Sequence, residues 1–446
     1  MAMRFHCTAI RISLRMSRGL AFGPRSSYPQ IVTFASRKRV CRVLPSKSPG
    51  DHVYIARGTP IYRRVSIAFL AAGLVTFANL YAVQPLIPAF SLDFARSPAA
   101  ASLALSASTF TLALSLPIFA SLSDRFGRKP IMVFSLFSSS VLQFAVGLVP
   151  TFWEIVAARS LEGFTLAGLP AVAMTYLSEE IDSSSLGFAM GLYISGNTLG
   201  GLLGRVLISL VADGASWRIG MMAFGAVSLA LSAYVAWSLP ASRHFVPRRD
   251  RVQDILSRFA HAVKRPELDA LYLVGGLLMG GFVSLYTYMG FRLAGAPYHL
   301  STSVIGLLFF AYLAGTFSSS FMGSLADRIG RHRVLPLNIA IMAAGAALTC
   351  ARGLAAIVLG MVVFTFGFFG AHSTASSSVG SLGGAQRAQA SALYLFCYYT
   401  GSSVIGSLGG LFWTDMGWRG VIGMILAAQA AAALAFLFAK RKLSTT

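Results

Sequence analysis

Ser121–Lys129 reads SLSDRFGRK, and Ser324–Arg333 reads SLADRIGRHR. Their aspartates, Asp124 and Asp327, stand 203 residues apart. A second pair of stretches keeps nearly the same offset: Ser195–Gly204, SGNTLGGLLG, aligns with Thr400–Gly410, TGSSVIGSLGG. Each of these is followed by a Trp-Arg pair, Trp217-Arg218 and Trp418-Arg419. Matches held in register over such a distance mark an internal repeat, in which one unit of the fold occurs twice.

Outward from each DRxGR stretch run apolar segments of roughly 20 residues, the length that crosses the hydrocarbon core as a helix. Twelve are expected, near 65–90, 101–122, 130–150, 153–177, 186–211 and 219–239, then 268–293, 301–323, 334–351, 355–378, 388–412 and 419–439. The composition agrees, with 55% hydrophobic and 12% charged residues and a mean hydropathy of +0.67. The fold class is therefore an all-α membrane protein of twelve transmembrane helices in two pseudo-symmetric six-helix bundles, related by an axis along the membrane normal.

The net charge of +22 is concentrated, which argues against a nucleic-acid face. Residues 1–64 hold 13 Lys/Arg and one acid, Asp51. The only long polar stretch after them, within 240–267, holds seven more basic residues. With the amino terminus inside, both DRxGR loops, this linker, Arg387 and Lys440, Arg441 and Lys442 share one side, whereas Asp93, Arg96, Asp213 and Asp415 lie opposite. The positive-inside rule then places both termini in the cytoplasm. The expected organisation is a basic extension 1–64, a bundle 65–239, a cytoplasmic linker 240–267, a bundle 268–439 and a tail 440–446. The extension reads as a basic tail near anionic lipid, an unused upstream start or an organellar transit peptide. Cys7, Cys41, Cys350 and Cys397 make no metal-ligand spacing, and no cofactor or metal is expected.

These motifs resemble the major facilitator superfamily over residues 65–439. Ala120–Lys129 is similar to its loop motif G-x-L-x-D-R-x-G-R-K/R with alanine in the first glycine place, and Gly323–Arg333 matches more fully. RSLEGF, from Arg159, is similar to the family's R-x-x-x-G. GNTLGGLLGR looks like its glycine-rich antiporter motif without the usual Gly-Pro. LYAVQPLIP and GAHSTASSSVG resemble a bacterial branch classed with exporters. The resemblance implies a bacterial inner-membrane protein, a monomer, moving a small molecule by alternating access, as proton-coupled efflux or alternatively proton-coupled uptake. It also implies a cytoplasmic gate of Asp124, Arg125, Gly127, Arg128, Glu179 and Glu180 with Asp327, Arg328, Gly330 and Arg331. In that gate Asp124 meets the start of the eleventh helix, near Arg387–Ser391, and Arg128 pairs with Glu179 or Glu180. A simple topology signal is the alternative, since basic loops belong on this side in any case.

Charges inside hydrocarbon are functional suspects, because each is costly unless paired or hydrated. Arg159 and Glu162 lie one turn apart on the fourth span. Either Glu162 carries the coupling proton beside Arg159, or the two form a static ion pair. Arg205, beside the small-residue stripe Gly196, Gly200 and Gly204, suits an anionic or hydroxylated substrate if it faces a cavity. Arg292 reads as a snorkelling side chain. Asn79, Gln84, Asn197, Tyr286, Tyr288, His372, Tyr394, Tyr398 and Tyr399 are candidate cavity residues, or ordinary interhelical hydrogen bonds. Pro85 and Pro88 offer a hinge or a fixed kink. No phosphate loop, dinucleotide fingerprint or metalloprotease spacing appears, so an enzyme is not expected. A non-transporting sensor or scaffold on the same fold is the remaining rival.

Overall fold

The computed structural model describes residues 54–245, 247 and 266–443; most of the expected extension and linker, and the last three residues of the tail, lie outside the described residues. Among those described, the chain is almost wholly helical. The first half runs through α1 (Pro60–Tyr81), α2 (Ile87–Asp93), α3 (Pro98–Phe126), α4 (Arg128–Val146), α5 (Phe152–Leu166), α6 (Gly168–Glu180), α7 (Ser183–Gly214) and α8 (Trp217–Ser238). The second runs through α9 (Pro266–Ala294), α10 (Thr302–Leu307), α11 (Tyr312–Ile329), α12 (Arg331–Leu348), α13 (Leu354–Leu382) and α14 (Arg387–Leu443).

Ten helical stretches among the described residues are long and apolar enough to cross a bilayer, some of them, such as α1 with α2, built of two helices in sequence. The last of the ten is two crossings joined at Gly417, where φ 61° and ψ −148° break α14. α12 opens on Arg331, His332 and Arg333, which dilute its apolar character. With that helix, the count is consistent with twelve crossings. The first span begins earlier than its apolar run, because the Thr59 hydroxyl accepts from the Tyr62 N–H and Pro60 fits the first helical position.

The repeat is visible in the backbone. Gly127 and Gly330 have φ of 97° and 92°, a conformation open to glycine at little strain, and each links two helices as the single residue between them. The glycine stripes pack as equivalent pairs. A Cβ on Gly196, Gly200 or Gly204 of α7 would stand 2.2–2.7 Å from atoms of Leu70, Leu74 and Ala78 on α1. On α14, a Cβ on Gly401 would lie 2.0 Å from the Gly276 carbonyl oxygen of α9. Small residues bring backbones together where lipid supplies no hydrophobic drive for helix association.

Two spans are broken and repaired. Ala82 donates the last α-type bond of α1, to Ala78, and the chain then passes through a 3-10 turn at Gln84–Leu86 because Pro85 lacks an N–H and its ring clashes with the preceding turn. Between α5 and α6 the Ser135 hydroxyl, from α4, donates to the Thr165 carbonyl at 2.7 Å and accepts from the Leu169 N–H at 3.1 Å. It thereby takes the place of one helical bond, a recognised cause of kinks.

Between the halves, α3 packs on the first arm of α14, α7 on α10 and α2 on α9. Hydrogen bonds cross at Gln84–Thr287, Thr109–Ser403, Ser106–Ser407 and Ser209–Ser303. All four lie in the parts of their helices remote from the DRxGR loops.

Candidate functional site

The break in α1 leaves carbonyls without helical partners, and a guanidinium takes them. Arg159 donates to the Asn79 carbonyl at 2.9 Å and the Leu80 carbonyl at 2.6 Å. Its Nε donates to the Ala104 carbonyl of α3 at 3.1 Å, and Nη1 also reaches Gln143 Oε1 of α4 at 3.3 Å. One side chain of α5 thus ties α1, α3 and α4 together. The approach is possible because Gly163, one turn on, abuts α3, where a Cβ would sit 2.1 Å from the Ser108 carbonyl oxygen.

Nη1 also meets Glu162 Oε2 at 2.6 Å, and both residues are fully excluded from solvent. The other carboxyl oxygen, Oε1, is buried with no hydrogen-bond partner. Asn79 extends the polar cluster: its Oδ1 accepts from Ser228 of α8 at 2.7 Å, and its Nδ2 has no partner. Ser228 leads through Ser232 to Ser140 on α4.

Arg205 forms a second buried cationic site, 2% exposed. Nε donates to Gln84 Oε1 at 2.8 Å and Nη1 to the Gly201 carbonyl. Its guanidinium carbon lies 4.1 Å from the ring centre of Tyr81, 4.9 Å from Phe309 and 5.0 Å from Tyr312. Gln84 is shared between the halves, because its Nε2 donates to Thr287 Oγ1 at 3.1 Å. Asn197 stands on the same helix but packs against Gly73, with its Oδ1 unpartnered.

The second-half candidates belong to an aromatic cluster. The Tyr286 hydroxyl bonds Thr365 Oγ1 at 2.7 Å, and its ring stacks on Phe309. His372 Nδ1 lies 2.9 Å from the Tyr394 hydroxyl, and its ring lies 4.7 Å from that of Tyr398. His372 and Tyr398 are half-buried, whereas Tyr394 and Tyr399 are buried. Tyr288 stands apart: it is buried and donates to the Gly406 carbonyl at 2.8 Å, holding α9 to α14. Arg292 does not simply snorkel to the interface. It donates to the carbonyl of Thr349, the C-cap of α12, and to that of Ala351 in the turn beyond.

At the DRxGR end, Arg128 forms a fork on Glu179, with Nε to Oε2 at 3.1 Å and Nη2 to Oε1 at 2.9 Å, and Nη1 meets Asp124. Glu180 is directed elsewhere. It accepts the N–H groups of Arg243 and His244 at 2.6 and 3.0 Å, fastening the chain that leaves α8. Asp182 caps α7, and the Ser184 hydroxyl and N–H hold its carboxyl below the usual range. Among the described residues the ion-pair partner of Asp124 is Arg128, on its own side of the repeat. The hydrogen bonds named above between the halves lie at the other end. The second copy is weaker: Arg331 donates to Ser381 Oγ and the Ser377 carbonyl, while Asp327 and Arg328 are exposed, as is Arg125.

The sequence profile of the Major Facilitator Superfamily matches residues 69–404 and 291–446. The chain belongs to the Major Facilitator Superfamily. It is a multi-pass membrane protein of a transporter family. The uncharacterized MFS-type transporter YybF of Bacillus subtilis is 47% identical over 83% of this chain and 92% of its own length. The inner membrane transport protein YnfM of Escherichia coli is 44% identical over 82% of this chain and 88% of its own. Among solved structures, a bacterial homologue of the lysosomal transporter Spinster, inward-facing and unoccupied, superposes with a TM-score of 0.71 at 15% identity, covering 86% of this chain and 98% of its own. The nucleoside transporter NupG gives 0.68 at 14% identity, covering 85% and 99%. These two show the fold.

Within this facilitator fold, sequence reasoning overlooked Gln143, Ser228, Tyr81, Phe309 and Tyr312. Gln143 carried a signal, as an amide in an otherwise apolar run. The tyrosines and Phe309 carried none, since aromatic residues are common throughout the spans.

Proposed function

We propose that the protein is a secondary transporter that exports a small solute by alternating access in exchange for protons. On this reading it lies in a bacterial inner membrane with both termini in the cytoplasm, as a monomer whose two bundles, 65–239 and 268–439, rock about the cargo between them. The observation that carries the proton coupling is Glu162: a carboxyl sealed from water, with one oxygen on Arg159 and the other without a donor. A change of charge there is strongly felt in a low dielectric. Protonation weakens the hold of Glu162 on Arg159, and Arg159 is what satisfies the broken end of α1. The proton is thus coupled to the segment Gln84–Asp93, which joins the halves at the end remote from the DRxGR loops. The fork of Arg128 on Glu179 and the neighbouring Asp124 serve the opposite gate, which closes when the remote end opens.

The test is transport in proteoliposomes under a pH gradient of each sign, with organic anions, sugars and lipophilic cations as probes. Solute movement against an imposed proton flow, lost in Glu162→Gln, is expected. Uptake driven only by an inward proton gradient overturns export, and gradient-driven transport by Glu162→Gln overturns the carrier role.

A further inference from the structure

The three arginines buried among the described residues of the first half find acceptors in different ways. Arg159 has Glu162, and Arg128 has Glu179 and Asp124. Arg205 has no carboxylate among the described residues; its partners are an amide oxygen, a backbone carbonyl, the Tyr312 hydroxyl and the faces of three rings. A cation held 2% exposed at membrane depth with only neutral partners is a site of uncompensated positive charge. The rings come from both halves, Tyr81 from the first and Phe309 and Tyr312 from the second, so the charge lies where the bundles meet.

We propose that Arg205 is the charge-recognition residue of the cargo site, and that the cargo is an organic anion carrying a carboxylate on a flat, apolar or aromatic body. A carboxylate is a stronger acceptor for a guanidinium than the amide oxygen of Gln84 and engages its Nε edge with two parallel bonds. It therefore displaces Gln84 Oε1, while the cage of Tyr81, Phe309 and Tyr312 receives the flat body. Gln84 is also the side chain that reaches Thr287 across the halves. Cargo binding thus releases one of the contacts that hold the remote end shut, so occupancy and opening are coupled through a single residue. Lipophilic cations are repelled by the same charge. This inference rests on the reading of the chain as a transporter, and is independent of the proton role of Glu162.

The test uses the purified full chain in nanodiscs near neutral pH, with three probes of one shape and different charge: benzoate, benzamide and benzyltrimethylammonium. Benzoate is expected to raise the thermal midpoint in a saturable way and the other two are not. Arg205→Gln is expected to lose the shift. Arg205→Lys, which keeps the charge but loses the fork, is expected to need about tenfold more benzoate, and it decides the matter if Arg205→Gln fails to fold. Glu162→Gln is expected to keep a saturable benzoate shift, at wild-type or altered affinity, so loss of coupling and loss of the anion site are separable. The inference is overturned if benzamide or the cation stabilises as well as benzoate, if benzoate still acts on Arg205→Gln, if Arg205→Lys binds it undiminished, or if no probe shifts the wild type.

Discussion

Glu162 gives one carboxyl oxygen to Arg159 at 2.6 Å and keeps the other buried without a hydrogen-bond partner. Glutamine has nearly the same shape and retains an acceptor for Arg159, but it cannot take up a proton. Glu162→Gln is therefore expected to fold, to exchange solute across the membrane at equilibrium, and to lose all response to an imposed pH gradient. Solute counterflow measured beside gradient-driven transport in the same vesicles checks this. A variant that loses both tells of a purely structural pair.

Arg159 supports the fold whatever its part in transport. Arg159→Met leaves the Asn79, Leu80 and Ala104 carbonyls without this donor and strands the Glu162 carboxylate in a dry site. Removal of one member of a buried pair costs about 3–5 kcal/mol. The double variant Arg159→Met with Glu162→Gln removes the stranded charge and is expected to recover a large part of that loss. Thermal unfolding of the purified single and double variants measures the difference.

The two glycines Gly191 and Gly200 share α7 but not its neighbours. A Cβ on Gly200 would stand 2.3 Å from the Leu74 carbonyl oxygen of α1, whereas a Cβ on Gly191 meets nothing within 4 Å. Gly200→Ala therefore forces the α1–α7 pair apart, with an expected loss of about 1–3 kcal/mol. Gly191→Ala gains helix propensity of about 0.5–1 kcal/mol and raises stability slightly. Thermal midpoints of opposite sign relative to wild type are the expected result.

Residue type and spacing made the frame legible. The DRxGR copies predicted two equivalent turns, and Gly127 and Gly330 share one backbone conformation. The spacing of four in Gly196, Gly200 and Gly204 puts small residues on one helix face, and that face abuts α1. Contacts that depend on helix rotation and on distant chain were not legible. Adjacent residues on a helix differ in direction by about 100°, so Glu179 and Glu180 could not be told apart until packing turned one to Arg128 and the other to the exit of α8. The cage of Arg205 includes rings more than a hundred residues away. Nor did any local signal show that a broken helix at residues 82–86 would be satisfied from α5.

The two copies of the loop motif are chemically unequal, and this gives the sharpest expectation for the DRxGR end. Arg128 is 8% exposed and forks onto Glu179 with Asp124 alongside, while Arg331, at the same place in the repeat, is more exposed and among the described residues bonds a serine hydroxyl and a carbonyl. Removing Arg128 leaves two acids close together and half-buried, whereas removing Arg331 exposes little to loss. Arg128→Ala is therefore expected to lower stability by about 1–3 kcal/mol and Arg331→Ala by less than about 1 kcal/mol. High salt discriminates further, since exposed contacts are screened and the half-buried fork much less so. Thermal midpoints of both variants at low and high ionic strength make the comparison; equal losses would show that the repeat is symmetric in energy as well as in sequence.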